Sequence, residues 1–286
     1  MNVATKLIVT DLDNTLWDWF HVWYASFSAM LTKLEDLTGL PAEDLEPEMR
    51  MVHQRVGTTE YTFVLDEMPC LVERAWPRRP SEVFAEALAV RARVRRAETR
   101  LYDGVFDTLR RLSSAGVRVV AFTESNAYWT EWRIRKTGLD GLINVLFSAP
   151  DQGFPEGMSR DELRTNEPSS YGLKDTEHRT TPPGYLKPDP TILTSILDDC
   201  DIAPSDALFV GDSLIKDIGM ANGVGVPSAH AAYGVAVAKP EYELLRRVTH
   251  WSDADVERER VLGAANAPHP TYVLAEYSDL LGVCGV

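Results

Sequence analysis

The sequence predicts an α/β protein whose core is a parallel sheet flanked by helices, with a helical domain inserted into that core. Two observations predict the core. Short apolar runs bounded by turn residues are typical of strands buried on both faces, and helical patterns lie between these runs, which indicates β-α-β units. A third observation predicts the inserted domain, because residues 18–99 contain helical patterns and no convincing buried strand.

The predicted strands share a feature at their carboxyl ends, where the apolar runs give way to small or acidic residues. Strands are predicted over residues 7–9, 117–122, 143–147, 207–210 and 272–275. Helices are predicted over residues 22–37, 81–96, 105–115, 128–137 and 190–197, with a helical excursion over 238–270. Ligands of parallel sheets bind beyond the carboxyl ends of the strands, so residues at those ends are the first candidates for a functional site.

The composition limits the classes of function. The chain has 286 residues, a net charge of −14, 44% hydrophobic and 25% charged residues, which suits one large globular domain or one domain with an insert. The acidic balance disfavours nucleic acid as a partner, because its phosphates would be repelled. No stretch reaches the roughly 18 apolar residues of a membrane span. Three scattered cysteines and no visible signal peptide lead us to expect a cytoplasmic protein.

Residues 149–184 are the least regular part of the sequence. They are polar, rich in Pro, Gly, Ser and Thr, and show little periodicity. A loop of this length is typically a lid, a binding loop or disordered. Because it follows the predicted strand 143–147, it starts on the ligand face of the sheet. We therefore predict a core of residues 1–17 and 100–286, a helical insert of residues 18–99, and a lid or disordered loop at 149–184.

Two carboxylates, Asp11 and Asp13, follow the first predicted strand. At positions i and i+2 of a sharp turn, both can face one pocket. An ionised carboxylate can attack phosphorus as a nucleophile, and a second carboxyl can donate a proton to the leaving oxygen and then activate water. Asp is also common in ordinary strand-to-turn segments, so these residues alone leave both interpretations open.

Thr123 and Lys187 are the candidates for holding a phosphoryl group. Thr123 ends the predicted strand 117–122, where its hydroxyl and the free backbone N–H groups of the next turn can bind a phosphoryl oxygen. Lys187 lies in a Leu-Lys-Pro-Asp-Pro run whose prolines can aim it rigidly, and a site with several carboxylates needs a cation. Taken singly, a helix cap and a solvated lysine are the simpler interpretations.

Asp212 and Asp217 are the candidates for a metal site. Asp212 closes the predicted strand 207–210, and Asp217 lies in the helix that follows. Mg²⁺ prefers hard oxygen ligands and often takes only one or two carboxylates together with phosphate oxygens. Asp11 and Asp212, at neighbouring strand ends, would meet that need, although a helix N-cap is an alternative role for Asp212.

In this order, the candidate residues resemble the motifs of the haloacid dehalogenase-like (HAD) hydrolase superfamily. The resemblance covers roughly residues 1–17 and 100–234, about half of the chain. The matching residues are Asp11, Asp13 and Thr15 in the first motif, Thr123 in the second, Lys187 in the third, and Asp212 and Asp217 in the fourth. The resemblance implies a Rossmann-like core, with a helical cap domain where residues 18–99 lie.

The resemblance also implies a role for each acidic residue. Asp11 would form an aspartyl-phosphate, and Asp13 would act as general acid and then as general base. The metal would be Mg²⁺, held by Asp11, by the backbone carbonyl of Asp13 and by Asp212. Asp217 would bind the metal through water or orient Lys187.

The phosphoryl group would be held by Thr123 and Lys187, with Glu124 and Ser125 in the same phosphate-binding turn. Many members of the superfamily carry Asn or Gly directly after this threonine, so Glu124 departs from the pattern. Its negative charge lies beside the expected phosphate pocket. Either its side chain points away, or it binds an amine or hydroxyl of the substrate.

These features predict an enzyme that uses magnesium to hydrolyse a phosphate monoester of a small metabolite through an aspartyl-phosphate. The alternatives are a phosphomutase on the same fold and a phosphoaspartate switch or scaffold without catalysis. A dehalogenase is disfavoured, because halide needs no proton to leave and Asp13 is present. The expected partner is a small phosphorylated metabolite, with no nucleic acid and no membrane, and the sequence leaves the oligomeric state open.

Substrate selection would fall to the predicted cap and to residues near the nucleophile. The candidates are His53, Arg55 and Trp17. A solvated helix face or loop is the simpler explanation of His53 and Arg55, and core or hinge packing is the simpler explanation of Trp17. The arginines between positions 91 and 100 also suggest a phosphate-binding surface. Helical spacing would scatter them around the axis, which favours a solvated helix face. These arginines are Arg91, Arg93, Arg95, Arg96 and Arg100.

Overall fold

The computed structural model describes residues 5–182, 184–254, 257 and 267–286. Within them, seven parallel strands form one sheet in the order β4-β3-β2-β1-β5-β6-β7. The strands are β1 (Leu7–Thr10), β2 (Arg118–Asn126), β3 (Val145–Ala149), β4 (Glu177–Thr180), β5 (Ala207–Gly211), β6 (Ser228–Ala231) and β7 (Tyr272–Leu274). The predicted α/β class with a parallel sheet is confirmed.

Helices cover both faces of this sheet and form the inserted region. In chain order the helices are α1 (Trp19–Thr38), α2 (Ala42–Val56), α3 (Pro69–Ala75), α4 (Pro80–Val83), α5 (Ala85–Glu98), α6 (Val105–Ser114), α7 (Ala127–Thr137), α8 (Arg160–Leu163), α9 (Thr191–Cys200), α10 (Gly219–Val224), α11 (Tyr242–Val248) and α12 (Asp279–Cys284). Among the described residues, no helix is both long and apolar enough to cross a membrane.

The central strand shows why the sheet is buried on both faces. Ile8 of β1 packs in an apolar cluster with residues of α6 and α12, whereas Leu7 and Val9 pack in a second cluster with residues of α9 and α10. Successive side chains of a strand point to opposite faces, so an uninterrupted apolar run is required here. This is the run that made β1 recognisable in the sequence.

The cap has an apolar core of its own. Helix α1 begins at the N-cap Asp18, whose side chain accepts a hydrogen bond from the backbone of His21, and its buried face packs against α5. The two linkers to the core run side by side, with Trp17 paired antiparallel to Leu101. Helix α11, from the later part of the chain, contributes residues such as Val248 to the same apolar cluster.

The segment 149–184 contains regular structure that the sequence did not reveal. Its residues Glu177–Thr180 form the edge strand β4. A second strand that was not predicted is β6 (Ser228–Ala231), which lies outside this segment. Both strands lack an apolar run, since β4 reads Glu-His-Arg-Thr and β6 reads Ser-Ala-His-Ala. The segment also reaches the cap, because Gln152 accepts a hydrogen bond from the backbone of Thr62 at 3.1 Å. The segment therefore joins the sheet edge to the cap.

Candidate active site

The parallel register brings three strand ends to one edge of the sheet. Thr10, the last residue of β1, pairs with Ala121 of β2 and Val210 of β5. The backbone N–H of Asp11 extends this ladder by donating to the carbonyl of Val210 at 2.8 Å. Asp11 and Asp212 therefore follow the neighbouring strands β1 and β5 and lie together, as predicted. Thr123 was predicted to end its strand but lies inside β2, which continues to Asn126.

A tight turn after β1 places Asp13 beside Asp11. Asn14 adopts a left-handed conformation with φ of 60°, which Asn tolerates better than most residues. A Cβ atom on Gly234 would lie 1.8 Å from the carbonyl oxygen of Asn14, so this close approach requires glycine. Thr15, whose hydroxyl donates to Oδ2 of Asp11 at 3.2 Å, completes the turn. The turn thus presents two carboxylates to one space.

Lys187 is the cation that contacts this carboxylate group. Its Nζ donates to Oδ1 of Asp11 at 2.5 Å and to Oδ1 of Asp217 at 2.8 Å. Burial disfavours the charged amine, but the charges of Asp11 and Asp217 outweigh it and raise the pKa of Lys187 above its usual range. The lysine is therefore a fixed positive charge in the site and not the solvated side chain of the simpler interpretation.

Three carboxylates, which we call the acidic cluster, lie together next to Lys187: Asp11, Asp212 and Asp217. One oxygen from each lies within 4.8 Å of the others. Burial raises the pKa of Asp11 to about 7, against the opposing charge of Lys187. Burial and the charges of Asp11 and Asp217 also raise the pKa of Asp212 well above its ordinary value. Like charges this close are stabilised by an added cation.

The acidic cluster has the donor chemistry of a magnesium site. Its ligand atoms are hard carboxylate oxygens, which suit Mg²⁺, and neither histidine nor cysteine belongs to the group. Asp217 is fixed in place because its Oδ2 accepts a hydrogen bond from the backbone of Ser213 at 3.0 Å. A Cβ atom on Gly211 would lie 2.4 Å from the Asp217 carboxyl, so glycine is needed there. The residues present therefore fit a divalent metal.

Asp13 lies outside the acidic cluster and has different partners. The indole N–H of Trp17 donates to its Oδ1 at 2.6 Å, and the hydroxyl of Ser125 donates to its Oδ2 at 2.5 Å. Burial raises the pKa of Asp13, although the charge of Arg133 acts in the opposite direction. A carboxyl group that holds its proton more tightly than usual suits a general acid. Trp17, predicted as a specificity residue, thus contacts the predicted acid.

The turn after Thr123 departs from the prediction at Glu124. Thr123 is buried and its hydroxyl accepts a hydrogen bond from the backbone of Ser125 at 3.1 Å. The Glu124 carboxylate instead accepts from the backbone N–H of Lys187 at 2.7 Å and from Nζ of Lys216 at 2.6 Å. The two carboxylate oxygens of Glu124 are therefore engaged by Lys187 and Lys216, which fixes the backbone of Lys187.

Two predicted specificity residues lie elsewhere in the cap. His53 is fully buried, and its Nδ1 donates to the carbonyl of Val248 at 2.7 Å, which gives it a packing role. Arg55 forms an ion pair with Glu67 of the cap. The structure does not bring either residue to the acidic cluster, because His53 is bound to α11 and Arg55 is paired with Glu67. The solvated helix face that the sequence favoured is therefore wrong for His53, which is buried, whereas the side chain of Arg55 is exposed.

An ionic link that the sequence does not reveal connects the cap with Asp13. Arg133 of α7 forms a buried ion pair with Glu60 of the cap, and its Nη1 lies 3.5 Å from Oδ1 of Asp13. Glu60 and Arg133 are 73 positions apart, and each is a single charged residue with no local motif. Only the fold brings them together, so no sequence signal could have identified them.

Family comparisons agree with this arrangement. The profile of haloacid dehalogenase-like hydrolases matches residues 5–225, and a related HAD-hydrolase-like profile matches residues 185–280. Since the first match spans more than half of the chain, the chain belongs to the haloacid dehalogenase-like hydrolase family. No curated protein gives a significant match.

Several solved structures share the fold at low sequence identity. YfnB from Bacillus subtilis, solved with bound magnesium, is 14% identical over 99% of this chain and 100% of that chain, with a TM-score of 0.52. The 2-haloacid dehalogenase from Pseudomonas syringae pv. Tomato DC3000 is 19% identical over 98% of both chains, with a TM-score of 0.54. A Thermotoga maritima protein assigned as a β-phosphoglucomutase is 16% identical over 98% of this chain and 99% of that chain, with a TM-score of 0.53.

Proposed function

We propose that this protein hydrolyses a phosphate monoester of a small metabolite, with Mg²⁺ as cofactor and an aspartyl-phosphate as intermediate. The observation that carries the proposal is the environment of Asp13. Its carboxyl is held by Ser125 and Trp17 beside Asp11, and burial raises its pKa. A phosphate ester leaves as an alkoxide that must gain a proton, which is the task such a carboxyl performs.

Asp11 is the nucleophile in this proposal. Lys187 and Thr15 each hydrogen-bond one of its oxygens, which fixes the carboxylate in one orientation. A carboxylate oxygen of Asp11 attacks phosphorus, the bond from phosphorus to the ester oxygen breaks, and the proton of Asp13 passes to that oxygen. Asp13 then takes a proton from a water molecule, and the oxygen of that water attacks the phosphorus of the aspartyl-phosphate. The bond between phosphorus and the Asp11 oxygen breaks, which releases inorganic phosphate and restores the Asp11 carboxylate.

The remaining residues bind the phosphoryl group and balance charge. Thr123 and Lys187 hold phosphoryl oxygens, and Glu124 keeps the Lys187 backbone in position. The acidic cluster and the backbone carbonyl of Asp13 would hold Mg²⁺, which supplies charge neutralisation for the phosphoryl oxygens. In this arrangement the positive charges face the phosphoryl group, and the proton donor Asp13 faces the leaving group.

Two other reactions use the same fold, and Asp13 bears on each. A dehalogenase has no need of a proton donor at this position, since halide leaves as an anion. A phosphomutase needs the same acid and base, but the aspartyl-phosphate is then transferred to a substrate hydroxyl instead of water. We favour hydrolysis and treat transfer to a hydroxyl as an outcome of the test.

The test measures phosphate release from a panel of phosphorylated metabolites, with and without Mg²⁺. Wild type and an Asp36→Asn control, which changes an exposed carboxylate of α1, should release phosphate only with Mg²⁺. Asp11→Asn should release none. Undiminished release by Asp11→Asn, or no release by folded and metal-loaded wild type, would contradict the proposal. Phosphate that moves to a second position of the substrate would identify a mutase.

A further inference from the structure

A group of buried arginines, which we call the arginine cluster, lies at and beside the contact between the cap and the core: Arg91 and Arg95 of α5, and Arg133 of α7. Their exposed fractions are 5%, 8% and 2%. Arg95 and Arg133 meet residues across that contact, whereas Arg91 lies inside the cap over the ring of Phe27. Arg91 and Arg95 are four residues apart, so they lie on one helix face, whereas Arg93 and Arg96 are exposed. The arginines of α5 are therefore divided between a buried face and a solvated face.

The arginine cluster has more hydrogen-bond donors than acceptors. Among the described residues, Nε of Arg91 has no hydrogen-bond partner, and its Nη1 has only the weak acceptor Sδ of Met30 at 3.8 Å. The guanidinium of Arg95 makes no hydrogen bond within that part of the chain and stacks on the ring of Trp129 at 3.9 Å. Nη1 of Arg133 is also buried without a hydrogen bond. A buried guanidinium without acceptors is costly.

The charges of this interface do not balance. Glu60 is the carboxylate that faces all three arginines. Burial opposes its ionisation, but Arg133 and Arg95 outweigh burial and lower its pKa, so it is ionised. Burial lowers the pKa of Arg91 to about 10, and burial with the charge of Arg91 lowers that of Arg95. Three cations thus face the carboxylate of Glu60, and of the three only Arg133 is also shown beside Asp13.

This excess of positive charge lies next to the proton donor of the proposed reaction. Arg133 is 3.5 Å from Asp13, and the Trp129 ring under Arg95 donates from its Nε1 to the backbone carbonyl of Glu60 at 3.0 Å. Because Asp13 would protonate the leaving oxygen, the arginine cluster lies on the side of the site that receives the leaving group. Aromatic rings lie under two of the arginines, Phe27 under Arg91 at 5.5 Å and Trp129 under Arg95.

We propose that the arginine cluster binds an anionic group, a carboxylate or a second phosphate, on the leaving-group part of the substrate. This inference rests on the proposed function and narrows its substrate class to monoesters that carry another negative charge. Such a group would give Arg91 and Arg95 the acceptors they lack and would complete the charge balance around Glu60. Arg95 and Arg133 are buried where the cap packs on the core, so the anion reaches them when the cap moves away from the core. Arg91, one helical turn from Arg95, adds positive charge to the same site.

The kinetic test uses three esters with Mg²⁺-loaded protein. Glycerol 3-phosphate has a neutral leaving group, 3-phosphoglycerate adds a carboxylate, and propane-1,3-diyl bisphosphate adds a phosphate. We expect kcat/KM to be about tenfold to a hundredfold higher for at least one doubly anionic ester, the gain typical of charge-assisted hydrogen bonds. Which ester gains identifies the anion. A preference for glycerol 3-phosphate would overturn the inference.

Substitutions test whether the arginine cluster causes that preference. Arg91→Met and Arg95→Met should each reduce the ratio of kcat/KM between the anionic and the neutral ester by about tenfold. Arg96→Met, on the exposed face of the same helix, is the matched control and should keep the wild-type ratio. An unchanged ratio in both Arg91→Met and Arg95→Met would overturn the inference even if the enzyme prefers anionic esters.

A binding experiment separates this inference from the proposed function. Calorimetry with Asp11→Asn and Mg²⁺ measures affinity for the same three esters without turnover. Tighter binding of an anionic ester, lost in Asp11→Asn combined with Arg95→Met, would support the arginine cluster even if wild type hydrolyses none of them. Equal affinities, or no binding of any ester, would overturn the inference while leaving a separately demonstrated phosphatase activity intact.

Discussion

Two buried ionic groups lie on either side of Asp13, and their charges are unbalanced in opposite directions. In the acidic cluster, three carboxylates share the single ammonium of Lys187. In the arginine cluster, three guanidinium groups share the carboxylate of Glu60. Burying several like charges together is unfavourable in both clusters. A bound cation would therefore stabilise the acidic cluster, and a bound anion would stabilise the arginine cluster.

The comparison teaches how a buried cluster can indicate its ligand. The acidic cluster lacks positive charge, which suits Mg²⁺, while Lys187 remains available to the phosphoryl group. The arginine cluster lacks negative charge, which suits an anionic leaving group. Asp13 lies between the two clusters. It is 3.5 Å from Arg133 of the arginine cluster, and it interacts electrostatically with Asp11 of the acidic cluster. The proton donor therefore lies at the boundary between the two proposed halves of the substrate.

The largest expected effect comes from removing the cation of the acidic cluster. Lys187→Met should lower kcat/KM for phosphate release by about a thousandfold, because it removes a charged donor from the developing phosphoryl charge. Lys216→Met is the matched control, since Lys216 is more exposed and contacts Glu124 rather than Asp11. It should cost less than tenfold. Steady-state kinetics check both values, and similar losses in the two variants would contradict a special role for Lys187.

The next effect tests Asp13 at the boundary between the clusters. Asp13→Asn should lower kcat/KM for an alkyl ester such as glycerol 3-phosphate by about a hundredfold, the scale of general acid catalysis. p-Nitrophenyl phosphate has a leaving group that needs no proton, so its kcat/KM should fall much less. Equal losses for the two esters would show that Asp13 does not act as the proton donor.

A smaller effect is expected from the turn that places Asp13. Gly234→Ala inserts a methyl group against the Asn14 carbonyl and should lower the free energy of unfolding by about 1–3 kcal/mol. Gly223→Ala is the matched control, because nothing lies within 4 Å of its Cβ position and it lies inside α10. That control should raise stability by about 0.5–1 kcal/mol. Urea unfolding measures both, and equal stability would contradict the packing at Gly234.

Much of the fold could be predicted because its central strands are buried on both faces. The apolar runs of β1, β2, β3 and β5 carry that requirement directly in the sequence. The edge strand β4 is not buried on both faces, so its sequence needs no apolar run. His178 of β4 contacts Glu131 of α7 at 3.1 Å, and Arg179 lies over the ring of Phe147 at 5.6 Å. Polar tertiary contacts of this kind leave no periodic pattern.

In the candidate site, too, the residues that the sequence predicts are those whose local position determines where they lie. The acidic cluster could be predicted because Asp11 and Asp212 directly follow strands and Asp217 lies in the helix just after Asp212, so local position predicts spatial position. The arginine cluster was not predicted, although the spacing of Arg91 and Arg95 places both on one helix face. What the sequence could not supply was the opposing surface, since Glu60 and Arg133 meet only when the cap packs on the core. Long-range pairing of single charges has no local signature.

The smallest expected effect concerns the acid stability of the cap next to the arginine cluster. Burial lowers the pKa of His53 to about 4, and the neighbouring charge of Arg91 acts in the same direction. The unfolded chain has an ordinary histidine pKa of about 6.5, so it binds the proton first. Stability from the neutral His53 is therefore complete above about pH 6.5 and is lost as the pH falls towards 4.

Between pH 7.5 and pH 5, this linkage should cost wild type about 2 kcal/mol of unfolding free energy that a His53→Gln variant does not lose. Glutamine keeps a donor for the Val248 carbonyl without a titrating ring, so the difference isolates protonation from packing. Urea unfolding at the two pH values measures it. Arg91→Met should weaken the pH dependence of wild type, because it removes a positive charge that opposes protonation. If wild type and His53→Gln lost equal stability between the two pH values, His53 would already be protonated in the folded protein at pH 5. The arginine cluster would then be less electropositive than its geometry indicates.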